Sequence, residues 1–407
     1  MGRDVLASRP GPWRLRAGKT AALGIAATLA ACGGGDGARD PADIPRVTLT
    51  GARRLVLDGA RVLDDGAPIV LRGVNVEGVT EAEAVDLAGL GFNLVRLRIS
   101  WEGDVRDDDD PTGLSARARA DVDAWVAALV AQRVWTVLEL RTDDETANDA
   151  ALYTVGSATF RAYARVWQYL AWRYANTPYI AGYGLLAEPS PDKTELSEPR
   201  AALVAFHAAL MSTITDDVGD TVTPFFLGPM FNYDTLQYRF DEYYTAHAAR
   251  RGRLFYAVNL LMPKPWIQDG TAPDGSRPAY PLTPGPVSFD ALLVPDEGEA
   301  PDALERIFNH RREEPENFAK LLGPSFAEWY LSWAIDFASR HDVPLYVDQF
   351  GAPVEARGQL EFERDLIATF ARHGLHWARW SYNAGQASRK VVGNEAVRAL
   401  YADVLGR

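Results

Sequence analysis

The sequence predicts an α/β fold, a (β/α)8 TIM barrel, on three observations. Eight short β-rich runs alternate with amphipathic segments, as in a parallel sheet wrapped by helices. A β-hairpin signal precedes the first of them. No glycine-rich phosphate loop follows the first strand, which sets a doubly wound sheet aside.

The hairpin is expected from Arg54 to Leu63 and Ala67 to Val74, on either side of the turn signal Asp64-Asp65-Gly66. Barrel strands are expected at Ile69 to Asn75, Phe92 to Ile99, Val134 to Leu140 and Ile180 to Leu186. The remaining four are Pro224 to Leu227, Leu254 to Val258, Pro344 to Phe350 and His376 to Trp380. Between them, apolar residues recur at three and four positions in Asp121 to Gln132, Thr159 to Tyr174, Ala201 to Thr215, Phe326 to Arg340 and Gln359 to His373, the pattern of helices packed on one face. The long connection Pro263 to Pro324 leaves the C-terminal end of the sixth strand, where barrel active sites lie, and is read as a lid or cleft wall with a short helix at Asp302 to Arg312.

The domain plan is a leader over residues 1–31, a flexible tether over 32–50 and the barrel over 51–407. Arg14, Arg16 and Lys19 precede an apolar run, Ala21 to Ala31, that is too short to cross a bilayer. Leu29-Ala30-Ala31-Cys32 resembles the cleavage site of bacterial lipoprotein signals. That resemblance implies a lipid on the Cys32 sulfur, and Gly33 after it favours a secreted protein anchored in the outer membrane. Cys32 is the only cysteine, so no intramolecular disulfide forms.

Formal net charge is -13, and the basic leader contributes positively to it, so the barrel is more acidic still. No basic stripe is present, which argues against nucleic acid as a partner. The six histidines show no paired ligand spacing, so neither a metal nor any other cofactor is expected.

Chemistry is concentrated at strand ends. Leu71 to Asn75, Phe92 to Leu97 and Trp101-Glu102-Gly103 resemble the first two strands of glycoside hydrolase family 5, cellulase and endoglycoceramidase-like, clan A. Tyr183 to Pro189 is similar to its fourth-strand motif, which implies that Glu188 stands at the acid/base position. Val347 to Gly351 resembles the seventh-strand motif, with Gln349 at the nucleophile position, and Trp377 to Trp380 the eighth, whose tryptophan floors a sugar subsite. The resemblance implies a carbohydrate ligand, a β-linked glycan or glycolipid, with Arg96, Trp101, Glu139, Arg141, Asn259, Trp266 and Trp380 as binding residues.

The chain departs from the family pattern at several linked positions. Ala187 stands for the Asn beside the acid/base, Arg141 for the third-strand His, Asn259 for the sixth-strand His, Leu261 for the nucleophile's Tyr partner and Gln349 for the nucleophile. An amide cannot form a glycosyl ester at useful speed, so retaining hydrolysis is expected to be impaired. The alternative is an active hydrolase or transglycosidase that uses Glu188 as acid with another base, or with substrate assistance. Strand alternation places Arg96 with Arg98 on one face and Glu139 with Arg141 on another, and it turns Asp348 away from Gln349. Glu139 is the first candidate base, with an internal salt bridge to Arg96 or Arg141 as the competing reading; Glu77, Glu102, Asp143, Asp144 and Glu355 are further candidates.

Overall fold

The computed structural model describes residues 44–228, 240–261, 264–271, 277, 279–281, 323, 324 and 326–407. The leader, Cys32 and most of the long connection, including the stretch 302–312 where a helix is expected, lie outside the described residues.

Three short strands come first: β1 (Leu55–Asp58), β2 (Arg61–Asp64) and β3 (Ala67–Pro68). The expected hairpin is thus a three-stranded antiparallel meander, because the run Arg54 to Leu63 contains a turn of its own at Gly59. The Asp65-Gly66 turn forms where the sequence placed it, with both residues at positive φ, the twist that joins antiparallel strands tightly. Residues 44–50, assigned to the tether, are docked instead. Val47 donates its backbone N–H to Val218 O at 2.8 Å, and the Asn176 side chain bonds the backbone of Thr48 and Thr50.

Eight parallel strands then close a barrel: β4 (Arg72–Val76), β5 (Leu94–Ser100), β6 (Trp135–Arg141), β7 (Ile180–Gly184), β8 (Phe225–Leu227), β9 (Leu254–Leu260), β10 (Leu345–Phe350) and β11 (His376–Arg379). The helices of the described residues are α1 (Glu81–Leu90), α2 (Ala116–Ala131), α3 (Asp144–Ala147), α4 (Ala150–Tyr153), α5 (Ala158–Tyr174) and α6 (Pro199–Ser212). They continue with α7 (Phe240–Ala246), α8 (Lys264–Asp269), α9 (Phe326–His341), α10 (Gln359–Arg372) and α11 (Glu395–Val404). The five expected helical segments correspond to α2, α5, α6, α9 and α10 within a few residues at each end.

Alternation along the strands divides the core in two. Val95, Leu97, Ile99, Leu138, Leu140, Val258 and Val347 face outward and pack with the helices. Leu94, Trp135, Val137, Phe255, Ala257 and Tyr346 face inward and fill the lower barrel, where Phe226 and Phe255 stack at 4.1 Å. Leu55 and Val62 of the meander belong to this same inner cluster and seal the barrel's N-terminal end. One layer higher the inward positions turn polar, at Asn75, Arg96, Glu139, Asp348 and Asn259, all buried. A filled apolar base beneath a polar layer sets the functional face at the strands' C-terminal ends.

Candidate active site

Glu188 lies just past β7 on a backbone held from both sides. The Leu185 carbonyl accepts from Tyr163 Oη at 2.7 Å and Trp167 Nε1 at 2.9 Å, both on α5, and the Ser190 amide donates to Tyr153 Oη at 2.9 Å. Between these anchors Glu188 adopts φ 49°, a left-handed conformation that costs a residue with a Cβ about 1–3 kcal/mol and persists only where neighbours hold it. None of these anchors was identified from the sequence.

Across the mouth, Gln349 Nε2 donates a hydrogen bond to Glu188 Oε1 at 2.8 Å. The two positions therefore meet as the sequence reading requires, but as an amide and a carboxylate in contact. A retaining pair needs two carboxyls about 5–5.5 Å apart with the sugar between them.

The structure corrects the expectation for Asp348. It does not turn outward: a β-bulge in the pairing of β10 with β9 sets Val347 opposite Val258 and Gln349 opposite Asn259, leaving Asp348 as the extra residue. Simple alternation would face Tyr346 and Asp348 inward and Gln349 outward; the bulge keeps Gln349 on the inner face as well. Asp348 is buried, its Oδ2 lies 3.2 Å from Arg96 Nη2, and its Oδ1 has no hydrogen-bond partner. Burial pushes its carboxyl up to about 7, helped by Glu139 and Glu188 and opposed by Arg96.

Glu139 forms the internal salt bridge weighed against a catalytic role, with Arg96 Nη2 at 2.6 Å from its Oε1. Burial raises the Glu139 pKa against the pull of Arg96 and Arg98. Arg96 also donates to Asn75 Oδ1 at 3.0 Å, and Asn75 in turn donates to the carbonyls of Asp348, Ala378 and Arg379, tying β4 to β10 and β11. Gly184 on β7 makes room for the Glu139 side chain: a Cβ there would meet Glu139 Oε1 at 2.8 Å.

Arg98 is the residue the sequence reading left without a role. Its guanidinium lies over the Trp380 ring at 4.6 Å from the centroid, with Glu77, Glu188 and Glu139 at 3.8, 3.7 and 3.9 Å. Those separations are too long for hydrogen bonds, and among the described residues Arg98 donates none. Arg141, expected in the subsite, turns instead toward Glu77 at 3.4 Å and stays about a third exposed.

Two aromatic assignments, Trp101 and Trp266, are corrected. Trp101 is fully buried, donates Nε1 to Gly113 O at 3.2 Å and packs edge-on against Tyr163. Trp266 is fully buried against Phe362. Trp377 and Tyr382 are also buried, so none of the four offers a ring face to a sugar. Trp380 is half-buried at the mouth, with the Arg98 guanidinium over its ring. Asn259 is buried on the inner face with its Oδ1 unpartnered, and Leu261 lies just past β9.

Among the other candidate bases, Glu77 sits at the mouth with Arg98 and Arg141, whereas Glu102 accepts from Ser100 Oγ, Asp143 caps α3, Asp144 lies in α3, and Glu355 is exposed. No cluster of potential metal ligands occurs among the described residues.

The profile of the cellulase family, glycosyl hydrolase family 5, matches residues 62–220. Over those residues the chain is similar to family 5. The matched stretch runs from β2 to beyond β7 and includes Arg96, Glu139 and Glu188. A curated relative, the "Major extracellular endoglucanase" of Xanthomonas campestris pv. campestris, is 29% identical over 153 residues, covering 32% of this chain and 31% of the relative. The match therefore spans about a third of that protein's length. Among solved structures, a broad specificity endoglucanase from Clostridium acetobutylicum superposes with a TM-score of 0.58 at 13% identity, covering 83% of this chain and 97% of the other. An endogalactoceramidase gives 0.56 at 16% identity, covering 86% and 78%. The cellulose synthase subunit Z of Clostridioides difficile gives 0.55 at 12% identity, covering 83% and 100%. At such identities these likenesses concern the (β/α)8 barrel fold alone.

Proposed function

We propose that this protein is a glycan-binding family 5 barrel in which two-carboxylate retaining hydrolysis is impaired. The observation that carries the reading is the 2.8 Å hydrogen bond from Gln349 to Glu188. It joins the acid/base position to a group that cannot act as a nucleophile and closes the gap a scissile sugar would enter. Arg98 supports the same reading, because its guanidinium covers the Trp380 face on which a sugar at that point would stack. The ligand class is a β-linked glycan or glycolipid, in keeping with the names of the Xanthomonas endoglucanase and of the endogalactoceramidase that shares the fold. Export through the leader and lipid attachment at Cys32 complete the proposal, and the extracellular location in the name of the Xanthomonas relative agrees with export.

A second reading, an active glycosidase with Glu188 as acid and a different carboxyl as base, draws on one observation: Asp348 is turned into the same buried cluster. Hydrolysis of a panel of β-glucans and glycolipids by the purified protein separates the two. Binding without turnover in the wild type, and turnover gained by Gln349→Glu, is the outcome expected. Wild-type turnover abolished by both Glu188→Gln and Asp348→Asn would overturn the proposal in favour of the second reading.

A further inference from the structure

We infer that the cleft selects a glycan bearing carboxylates, a uronate-containing chain, and that Arg98 is the residue that reads the charge. This rests on the glycan-binding reading above and names its ligand class.

Arg98 is about 95% buried, yet it donates no hydrogen bond among the described residues, and its Nε is both buried and unpartnered. A desolvated guanidinium left in that state costs free energy unless something accepts from it. Its face rests on Trp380, which leaves the in-plane N–H edge as the part a ligand meets. That edge is a rigid fork matched to the two oxygens of a carboxylate. The three protein carboxylates around it, at 3.7–3.9 Å, balance its charge without taking its donors. Arg141, at the end of the next strand, is partly exposed and makes one long contact with Glu77, so a second guanidinium faces the mouth.

Two departures from the family pattern point the same way. Gln349 stands where a glutamate is expected, and Arg141 where a histidine is expected. Each moves the cleft toward positive charge, in a chain whose net charge is -13. Asp348 adds to the effect, since burial pushes its carboxyl up to about 7 and holds back a negative charge beneath the mouth.

The test is calorimetric titration of the full chain with β-1,4-linked tetraglucuronate and with cellotetraose, which share backbone and linkage and differ only at C6. Tetraglucuronate is expected to bind at least about tenfold tighter, a difference that Arg98→Gln removes and Arg141→Gln reduces. The preference should also weaken between about 50 mM and about 300 mM salt, as charge recognition near the surface does. Equal or tighter binding of cellotetraose would overturn the inference while leaving the glycan-binding reading standing. If neither binds, and none of the panel glycans does, both fall. A preference that survives in Arg98→Gln, with melting confirming its fold, overturns the assignment to Arg98. Should that variant fail to fold, a wild-type preference indifferent to both salt and Arg141→Gln overturns the inference.

Discussion

Asp348 is the side chain whose behaviour follows most directly from its surroundings. Tyr346 precedes it on the inner face of β10, Arg96 and Arg98 approach from β5, Glu139 from β6 and Glu188 from the end of β7, and burial outweighs the two cations. A carboxyl held near 7 in the fold and near 3.8 when unfolded binds more protons folded than unfolded in that interval. Its contribution to stability is therefore fully present below about pH 4 and is lost as pH rises toward 7. The buried histidines work in the opposite direction: burial pushes His207 and His376 down to about 3, and His376 accepts from the Leu71 amide through Nδ1. These histidines lose stability on acidification, so the wild-type profile alone mixes the two effects. Asp348→Asn isolates one: the variant minus wild-type difference in melting temperature should rise from pH 5 to pH 8, and a difference independent of pH would contradict the account. That Asp348 faces inward was not legible in the sequence, because a period of two carries no mark of an inserted residue. Trp101 and Trp266 were misplaced for a related reason, since a strand-end position does not tell which way an indole leans.

Secondary structure was legible in proportion to its apolar pattern. The barrel strands are continuous buried runs and were located in order; α2, α5, α6, α9 and α10 carry apolar stripes. The expectations omitted α1, whose buried side chains are Ala84, Leu87 and Leu90, although Thr80 and Glu83 form a capping box and Gly91 ends the helix in a left-handed conformation. Those local signals outweigh a thin apolar face, and Thr80→Ala should lower stability by about 0.5–2 kcal/mol in urea unfolding. A larger effect is expected where α10, β11 and α11 meet. Glu363 accepts two hydrogen bonds from Arg379 at 3.0 Å, one from Tyr401 at 2.6 Å and one from Gln359, with both charged groups fully buried. Glu363→Ala strands the Arg379 charge and should cost about 3–5 kcal/mol; a loss below about 1 kcal/mol would mean water replaces the carboxylate. In the barrel wall, Gly184→Ala brings a Cβ to 2.8 Å from Glu139 Oε1 and should cost about 1–3 kcal/mol by unfolding while loosening Glu139 from Arg96.

At the level of the whole molecule, the N-terminal meander and the mouth divide the work. Leu55 and Val62 close the barrel's base, and removing residues 44–68 should lower unfolding free energy by more than about 2 kcal/mol and increase binding of a hydrophobic dye. Unchanged stability would make the meander dispensable. The α/β barrel itself followed from the alternation of eight runs, and the mouth from the motifs at their ends. What those motifs could not convey is how the side chains of the polar layer are arranged. Arg98 lies over the tryptophan ring, Gln349 donates to Glu188, and Arg141 points to Glu77. The bulge in β10 adds a last consequence. It houses an acid and an amide as adjacent tenants of one address on the inner wall, so losing a single residue there would exchange them. Strand length, as much as residue identity, sets the chemistry at this mouth.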